Sequence, residues 1–427
     1  MKVWSSKQLP KDWFRRQQAE QKATAELEAN VKAIISQVRA EGDRALLDFA
    51  LRFDKAKLTP STMKISAEEI KEAYSQVTKE QVAAIEFMKQ RVSVFQKQLL
   101  ANTDVRAFNE GIMVQTLLRP IESVGCYVPG GQAAYPSTVV MTALVAKIAG
   151  VSRIVVCSPS NAEGKVNPLV LVASDICGVT EIYKVGGAQA IAALAYGTET
   201  IAPVRKIVGP GSKYVTAAKV LVSQDVAIDM PAGPSEVLVL ADETADARFI
   251  AYDLISQAEH GTDSVAALIT TSQKLADQVQ KNLSKFVAVA PRSEKISESL
   301  NKYGFIIVCD GIEEAVKLTN QFATEHLEVM TKDAKALAEK LVAGLILIGP
   351  YSPVPLSDYA SGTNHVLPTG GFAAAFSGLS VIDFMRRVSI AECSREGLEK
   401  VKAQVKVLTD TENLPNHYKA IAARFEP

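Results

Sequence analysis

Apolar residues along this chain follow two rhythms, and the change between them marks how the molecule is organised. From residue 11 to 100 they recur at helical spacing. Val31, Ile34, Ile35 and Val38 keep the i, i+3, i+4, i+7 pattern of a one-sided helix. Glycine is nearly absent there and charges are dense. The stretch 12–30 is so polar that it is expected to pack along one stripe only. From residue 121 short apolar runs alternate with helical segments. Residues 123–128, 153–157, 181–185, 206–208 and 226–228 read as strands, with helices over 138–149 and 169–177. The rhythm then repeats. Residues 236–240, 265–270, 305–308, 327–330 and 345–348 read as strands, with helices over 245–259, 272–286 and 312–322. Such alternation builds parallel sheets covered on both faces, so an α/β fold with two sheet domains is expected. Residues 350–377, rich in Pro, Gly, Ser and Thr, form one long loop, of a length usually functional or disordered. Residues 380–427 return to a charged helical pattern.

Composition narrows the function. At about 150 residues per domain, 427 residues make two or three domains. Lys+Arg and Asp+Glu both number 47, so no bulk field attracts nucleic acid or an anionic membrane surface. The most apolar long stretch, Ser137 to Val156, is interrupted by Lys147 and Arg153, and no membrane span is expected. Met1-Lys2-Val3-Trp4-Ser5 has no apolar core of a secretion signal. Five scattered cysteines without a CxxC pair exclude a disulfide scaffold and a zinc ribbon, and they fit a reducing, cytoplasmic compartment. Trp4 and Trp13, in a segment read as polar helix, point to contact with a partner surface.

Neither GxGxxG nor GxxxxGK[ST] occurs. Pro129-Gly130-Gly131, Gly186-Gly187 and Gly209-Pro210-Gly211-Ser212 instead each follow a predicted strand and precede a predicted helix. That position suits an anion held by helix N-terminal amides, and it equally suits an ordinary tight turn. His260 precedes Gly261, a helix stop, with Gln257 on the same helical face. Glu325-His326 stands at a strand entry and could supply two proton carriers with separable pKa values. Asp358 and His365 share the long loop, and His417 follows Glu412 near the end. Zinc takes three or four donors of these types, but no HExxH spacing exists, so a site would be assembled from distant segments.

Longer stretches carry a resemblance. They include Gly125-Cys126-Tyr127-Val128-Pro129-Gly130-Gly131 and Val185-Gly186-Gly187-Ala188-Gln189-Ala190-Ile191-Ala192, with Gly209-Pro210-Gly211. Further ones are Asp229 to Glu236, Ser256 to Gly261, Glu325-His326-Leu327 and Asp358 to Thr369. From about residue 25 to the end the chain resembles the histidinol dehydrogenases, zinc enzymes of histidine biosynthesis. The resemblance implies an NAD-dependent, two-step, four-electron oxidation of L-histidinol through L-histidinaldehyde to L-histidine. It implies a homodimer, each active site completed by the partner subunit. Two incomplete Rossmann-like domains are expected, one from 25–120 with 236–376 and one from 121–235. A helical extension over 1–24 and a helical dimerisation segment over 377–427 would flank them.

The same resemblance assigns residues. Gln257, His260, Asp358 and His417 match the zinc ligands, His417 reaching in from the other subunit. Glu325 and His326 match the acid/base pair. Ser235, His365 and Glu412 match substrate contacts, which the zinc ligands and His326 share. Tyr127 and Gln189 match cofactor contacts, and Ser212 stands where the family usually has asparagine. Rival readings are a dehydrogenase of another small polar alcohol such as a sulfonated diol, a metal-dependent hydrolase, and a non-catalytic binding protein.

Overall fold

The computed structural model describes residues 1–11, 13–14, 21–102, 105–130 and 134–426. A short strand, β1 (Lys2–Ser5), opens the chain. The helices Gln21–Glu41, Asp43–Phe49, Ala67–Ser75 and Lys79–Ala101 follow. Ser66 and Thr78 start the last two with capping boxes that satisfy otherwise orphaned amides. A hairpin, β2 (Val105–Asn109) and β3 (Ile112–Pro120), leads into β4 (Ser123–Tyr127), β5 (Arg153–Cys157), β6 (Glu181–Tyr183), β7 (Lys206–Val208) and β8 (Ala227–Ile228). These last five form one sheet in the order β6-β5-β4-β7-β8, every neighbouring pair parallel.

The second alternation gives β9 (Glu236–Ala241), β10 (Val265–Thr270), β11 (Phe305–Val308), β12 (His326–Met330) and β13 (Leu345–Ile348). With β1 they make a six-stranded parallel sheet in the order β1-β11-β10-β9-β12-β13. Both sheets therefore run third-second-first-fourth-fifth in their own strands, the doubly wound order. Their centres are near-continuous apolar runs, as strands buried on both faces require: every residue of β9 and β10 is buried. Finally β14 (Met385–Cys393) lies antiparallel on β3, giving a small sheet β14-β3-β2. Among the described residues no helix is long and apolar enough to cross a membrane.

Four expectations change. The first residues are a strand rather than helix, because β1 extends the edge of the six-stranded sheet through backbone pairing with β11. Trp4 and Trp13 do not wait for a partner surface. Trp4 stacks on Phe305 at 5.6 Å and Trp13 on Phe322 at 5.9 Å, so both rings sit on the chain's own core. Part of 12–24 lies outside the described residues. The segment after 380 is not all helix, since β14 precedes the helices Arg395–Thr411 and Pro415–Ala422.

The fourth change concerns 25–120, grouped above with 236–376. Val31, Ile35 and Val38 pack with Tyr127 and the helix Gly187–Tyr196 on one face of the five-stranded sheet. Ile85, Met88 and Val92 pack on its other face. At about 1.5–3 kcal/mol per buried aliphatic side chain, these helices gain their stability from the five-stranded sheet.

Phe322 is 1% exposed and touches the rings of Trp13 and Phe305. Phe322→Ala is expected to cost about 3–5 kcal/mol. Urea unfolding followed by circular dichroism measures it, and a loss below about 1 kcal/mol would show the cluster to be loosely packed.

Candidate active site

The chain passes from one sheet to the other through Asp229–Ser235. That segment leaves the C-terminal end of β8 and enters the N-terminal end of β9. It is anchored on both sides. Asp229 accepts the Gly209 N–H at 2.8 Å and pairs with buried Lys219, whose Nζ donates to the Gly209 carbonyl at 2.9 Å. Gly209 must be glycine: its φ is +115° and a Cβ would lie 2.2 Å from the Tyr127 carbonyl oxygen. Further on, Thr216 donates to the Ala232 carbonyl at 2.6 Å and the Gly233 amide to Thr369. The segment thus brings the C-terminal edge of the five-stranded sheet toward the N-terminal edge of the six-stranded one.

At that N-terminal edge β9 and β12 lie side by side, with His326 opposite Val237. Two buried glutamates close the strand ends. Glu325 Oε2 accepts the Glu236 amide at 2.7 Å, and Glu236 Oε2 accepts the Glu325 amide at 3.3 Å. Glu236 Oε1 accepts the Gly370 amide at 2.9 Å, which ties down the long loop. His326 Nδ1 lies 3.2 Å from the Glu236 carbonyl oxygen and 3.5 Å from Glu325 Oε2. A carbonyl only accepts, so Nδ1 is the donor and Nε2 is the nitrogen left to exchange protons. Nε2 is buried without a hydrogen bond, and Asp358 Oδ1 lies 3.9 Å away.

Asp358 also lies 4.0 Å from His365 Nδ1. Burial alone would lower His326. The charge and hydrogen bond of Glu325, with Asp358 and the Glu236 carbonyl, outweigh it and hold the ring at about 9. Burial lowers His365 more than Asp358 raises it, and His326 adds to the lowering. Two imidazoles against one carboxylate are thus pushed in opposite directions, a pattern typical of acid–base sites.

The structure gathers Glu325, His326, Asp358 and His365 within one chain. Gln257 ends the helix Ala247–Ala258, is 2% exposed, and has a buried Nε2 without a partner. His260 follows it on the surface, its amide bonded to the Gln257 carbonyl at 3.3 Å. Ser235 is half-buried at the mouth of β9. Glu412 and His417 are exposed on the C-terminal helices, and neither side chain has a hydrogen bond or ion pair among the described residues.

Among the described residues no three His, Cys, Asp or Glu side chains are grouped to hold an ion. The donor chemistry nonetheless suits zinc: an amide with one unsatisfied end, a carboxylate, and exposed imidazoles free to turn.

On the other side, Tyr127 ends β4 and its hydroxyl accepts the Gly187 amide at 3.1 Å. Burial pushes that phenol up to about 12. Gln189 is 2% exposed in the first turn of the same helix, Gly187–Tyr196. Ser212 caps the helix Lys213–Val222 by position, but its exposed hydroxyl makes no capping bond. The turns bearing these residues end parallel strands and open helices, the arrangement in which dinucleotides are held.

Sequence reasoning gave no role to Glu236, Asp253 or Glu328. For Glu236 and Glu328 the available signal was a carboxylate inside or at the mouth of an otherwise apolar strand, which must find partners when buried; Asp253, on the helix Ala247–Ala258, gave none.

The histidinol dehydrogenase family model matches residues 16–425. The chain is 45% identical to histidinol dehydrogenase of Clostridium acetobutylicum over 406 residues, covering 95% of this chain and 94% of that one. It is 42% identical to the Methanosarcina mazei histidinol dehydrogenase over 403 residues, 94% and 92% of the two chains. The crystal structure of histidinol dehydrogenase from Elizabethkingia anophelis superposes with a TM-score of 0.93 at 36% identity, covering 100% of this chain and 98% of that one.

Glu236→Gln sets an amide NH₂ against the Gly370 or the Glu325 amide. The variant is expected to lose about 1–3 kcal/mol, with faster hydrogen exchange at Gly370 and Glu325. Unchanged protection at both amides would remove Glu236 from its place at the centre of the site.

Proposed function

The chain belongs to the histidinol dehydrogenase family and is an oxidoreductase acting on a CH–OH group, and from that premise we propose that it converts L-histidinol through L-histidinaldehyde to L-histidine, with zinc and NAD. One observation carries the reading. His326 Nδ1 is committed to the Glu236 carbonyl, and Nε2 is left unpaired in a buried site beside Asp358 and Glu325. A base oriented this way is suited to take a proton from a substrate hydroxyl.

Zinc, held by Gln257, His260, Asp358 and His417, would supply a positive charge that anchors the imidazole and amine of the substrate, and NAD would accept the hydrides. The chain's own residues do the rest. His326 Nε2 takes the hydroxyl proton as the first hydride leaves carbon, because hydride departs more readily from an alkoxide. Glu325 stabilises the imidazolium that results. With Asp358 held as a ligand, its charge would no longer keep the ring protonated, and Nε2 would be free to accept a proton.

The aldehyde must then gain water before a second hydride can leave. Glu325 Oε2 is held by the Glu236 amide, so the carboxylate is fixed in direction and can draw a proton from that water. The sum is two hydrides and three protons released per carboxylate formed. Tyr127, Gln189 and Ser212 are the residues proposed to meet NAD. Ser235, His365 and Glu412 complete the substrate contacts.

The exposed, unpartnered positions of Glu412 and His417 support a homodimer in which both act on the partner's site. All five cysteines are free, which supports a cytoplasmic setting.

Incubating the protein with L-histidinol, NAD and zinc, and counting NADH against histidine, tests the reaction. Two NADH per histidine are expected; histidinol left untouched would end this reading. In the same assay Glu325→Gln is expected to slow the aldehyde step about 10²–10⁴-fold and to shift the yield toward one NADH per histidinol consumed. Equal slowing of both steps would deny Glu325 its role with water. Mixing Asp358→Asn with His417→Asn subunits tests sharing across the dimer. If sites are shared, random exchange restores about a quarter of them. No recovery after demonstrated exchange would place His417 in the site of its own chain.

A further inference from the structure

Side chains alternate along a strand, so His326, Glu328 and Met330 share one face of β12. Met330 packs in the cluster that includes Ile250, Leu254 and Ala258 of the helix Ala247–Ala258, which fixes what that face meets. Glu328 is fully buried there, the single charged residue in the interior of that strand. Its Oε1 accepts the amide of Val354 at 2.8 Å, the first residue of the short helix Val354–Tyr359. Its Oε2 is buried and receives no N–H or O–H donor among the described residues. Opposite Glu328 stands the carboxyl of Asp253, on the helix Ala247–Ala258 and one turn before Gln257. Among the described residues, the charged group acting on each carboxyl is the other. Glu328 is fully buried and Asp253 half-buried; a carboxylate in the dry interior resists ionising beside a second one, and a lone acceptor oxygen without a donor is costly. A single proton between them satisfies both.

We propose that Asp253 and Glu328 share one proton and act as a positioning pair. Their carboxyl–carboxylate hydrogen bond, with the Val354 amide, holds three elements in register: the helix bearing Gln257, with His260 just beyond its end, the strand bearing His326, and the helix bearing Asp358. The roles of those residues rest on the function proposed above; the pair itself does not. Burial raises both groups, Glu328 well above the ordinary carboxyl value and Asp253 to about 6. A carboxyl raised in the folded state keeps a proton that the unfolded chain has released. Stability contributed by the pair is therefore present in acid, and it declines as pH rises from the ordinary carboxylate range through the raised values.

Three variants test this: Glu328→Gln, Asp253→Asn and Glu328→Ala. An amide opposite a carboxylate reproduces the hydrogen bond and the net charge of the singly protonated pair, but has no proton to lose. Thermal unfolding of the metal-stripped protein between about pH 5 and pH 9 should show the wild type losing stability toward alkali, and both amide variants losing less. At neutral pH Glu328→Gln should retain zinc and turnover within about twofold of wild type. Glu328→Ala should weaken zinc retention about 10–100-fold, the usual effect of removing a group that orients a ligand. An alkaline slope unchanged in Glu328→Gln overturns the shared proton. Zinc retention unchanged in folded Glu328→Ala, or as poor in Glu328→Gln as in Glu328→Ala, overturns the positioning role. Should the alanine variant not fold, the slopes of wild type and the amide variants still decide. The unfolding arm contains neither metal nor substrate, so a protein inactive on histidinol but altered in slope would sink the functional reading and leave the pair standing.

Discussion

The first amide of a parallel strand has no ladder partner behind it, and a buried amide must find an acceptor. At the mouths of β9 and β12 each strand meets this need with the other's glutamate: Glu236 serves the Glu325 amide and Glu325 serves the Glu236 amide. The rest of the site follows from that exchange. Both carboxylates are fixed in direction, the Glu236 carbonyl is left to receive His326 Nδ1, and the second oxygen of Glu236 pins Gly370 and the long loop over the strand ends. Catalytic geometry here grows out of backbone accounting, with few side chains serving orientation alone.

The exchange also explains an unusual location. Ligands in doubly wound sheets lie outside the C-terminal strand ends, where the order reverses. The five-stranded sheet offers such ends at Tyr127, Gly187 and Gly209. The six-stranded sheet presents its chemistry at the opposite edge, the starts of β9 and β12. The short crossing Asp229–Ser235 makes the two edges neighbours, since it must leave one sheet at a C-terminal end and enter the other at an N-terminal one. A cleft between unlike edges can hold a dinucleotide against one wall and carry acid–base groups on the other.

Most strands and longer helices between 121 and 348 were legible because they repeat an apolar period over a full element; the helices Ser293–Lys302 and Ala334–Ala338 were not read. The helical stripe of Val31, Ile35 and Val38 was equally plain, but not the sheet it would cover, since amphipathicity names a face and not its partner. β1 was hidden because a short edge strand pairs through its backbone, whatever its side chains. β14 was hidden because its pattern, Met-Arg-Arg-Val-Ser-Ile-Ala-Glu-Cys, is charged and mostly exposed in the folded chain. In the site, Glu325, His326, Asp358 and His365 were found through family likeness, and their convergence could not be read from separations along the chain. Glu236, Asp253 and Glu328 went unassigned because nothing local says which distant donor or acceptor a buried carboxylate will meet. Glu412 and His417 are exposed on the C-terminal segment, and one chain's periodicity does not show what they would meet.

Both tryptophans of the chain, Trp4 and Trp13, stack on Phe305 and Phe322 at the outer edge of the six-stranded sheet. Intrinsic fluorescence therefore watches the docking of the first residues and not the cleft. A ligand that quenches this emission without absorbing it must act through β11 and β10, so the optical signal becomes a gauge of how rigidly the sheet transmits a disturbance from its centre to its rim.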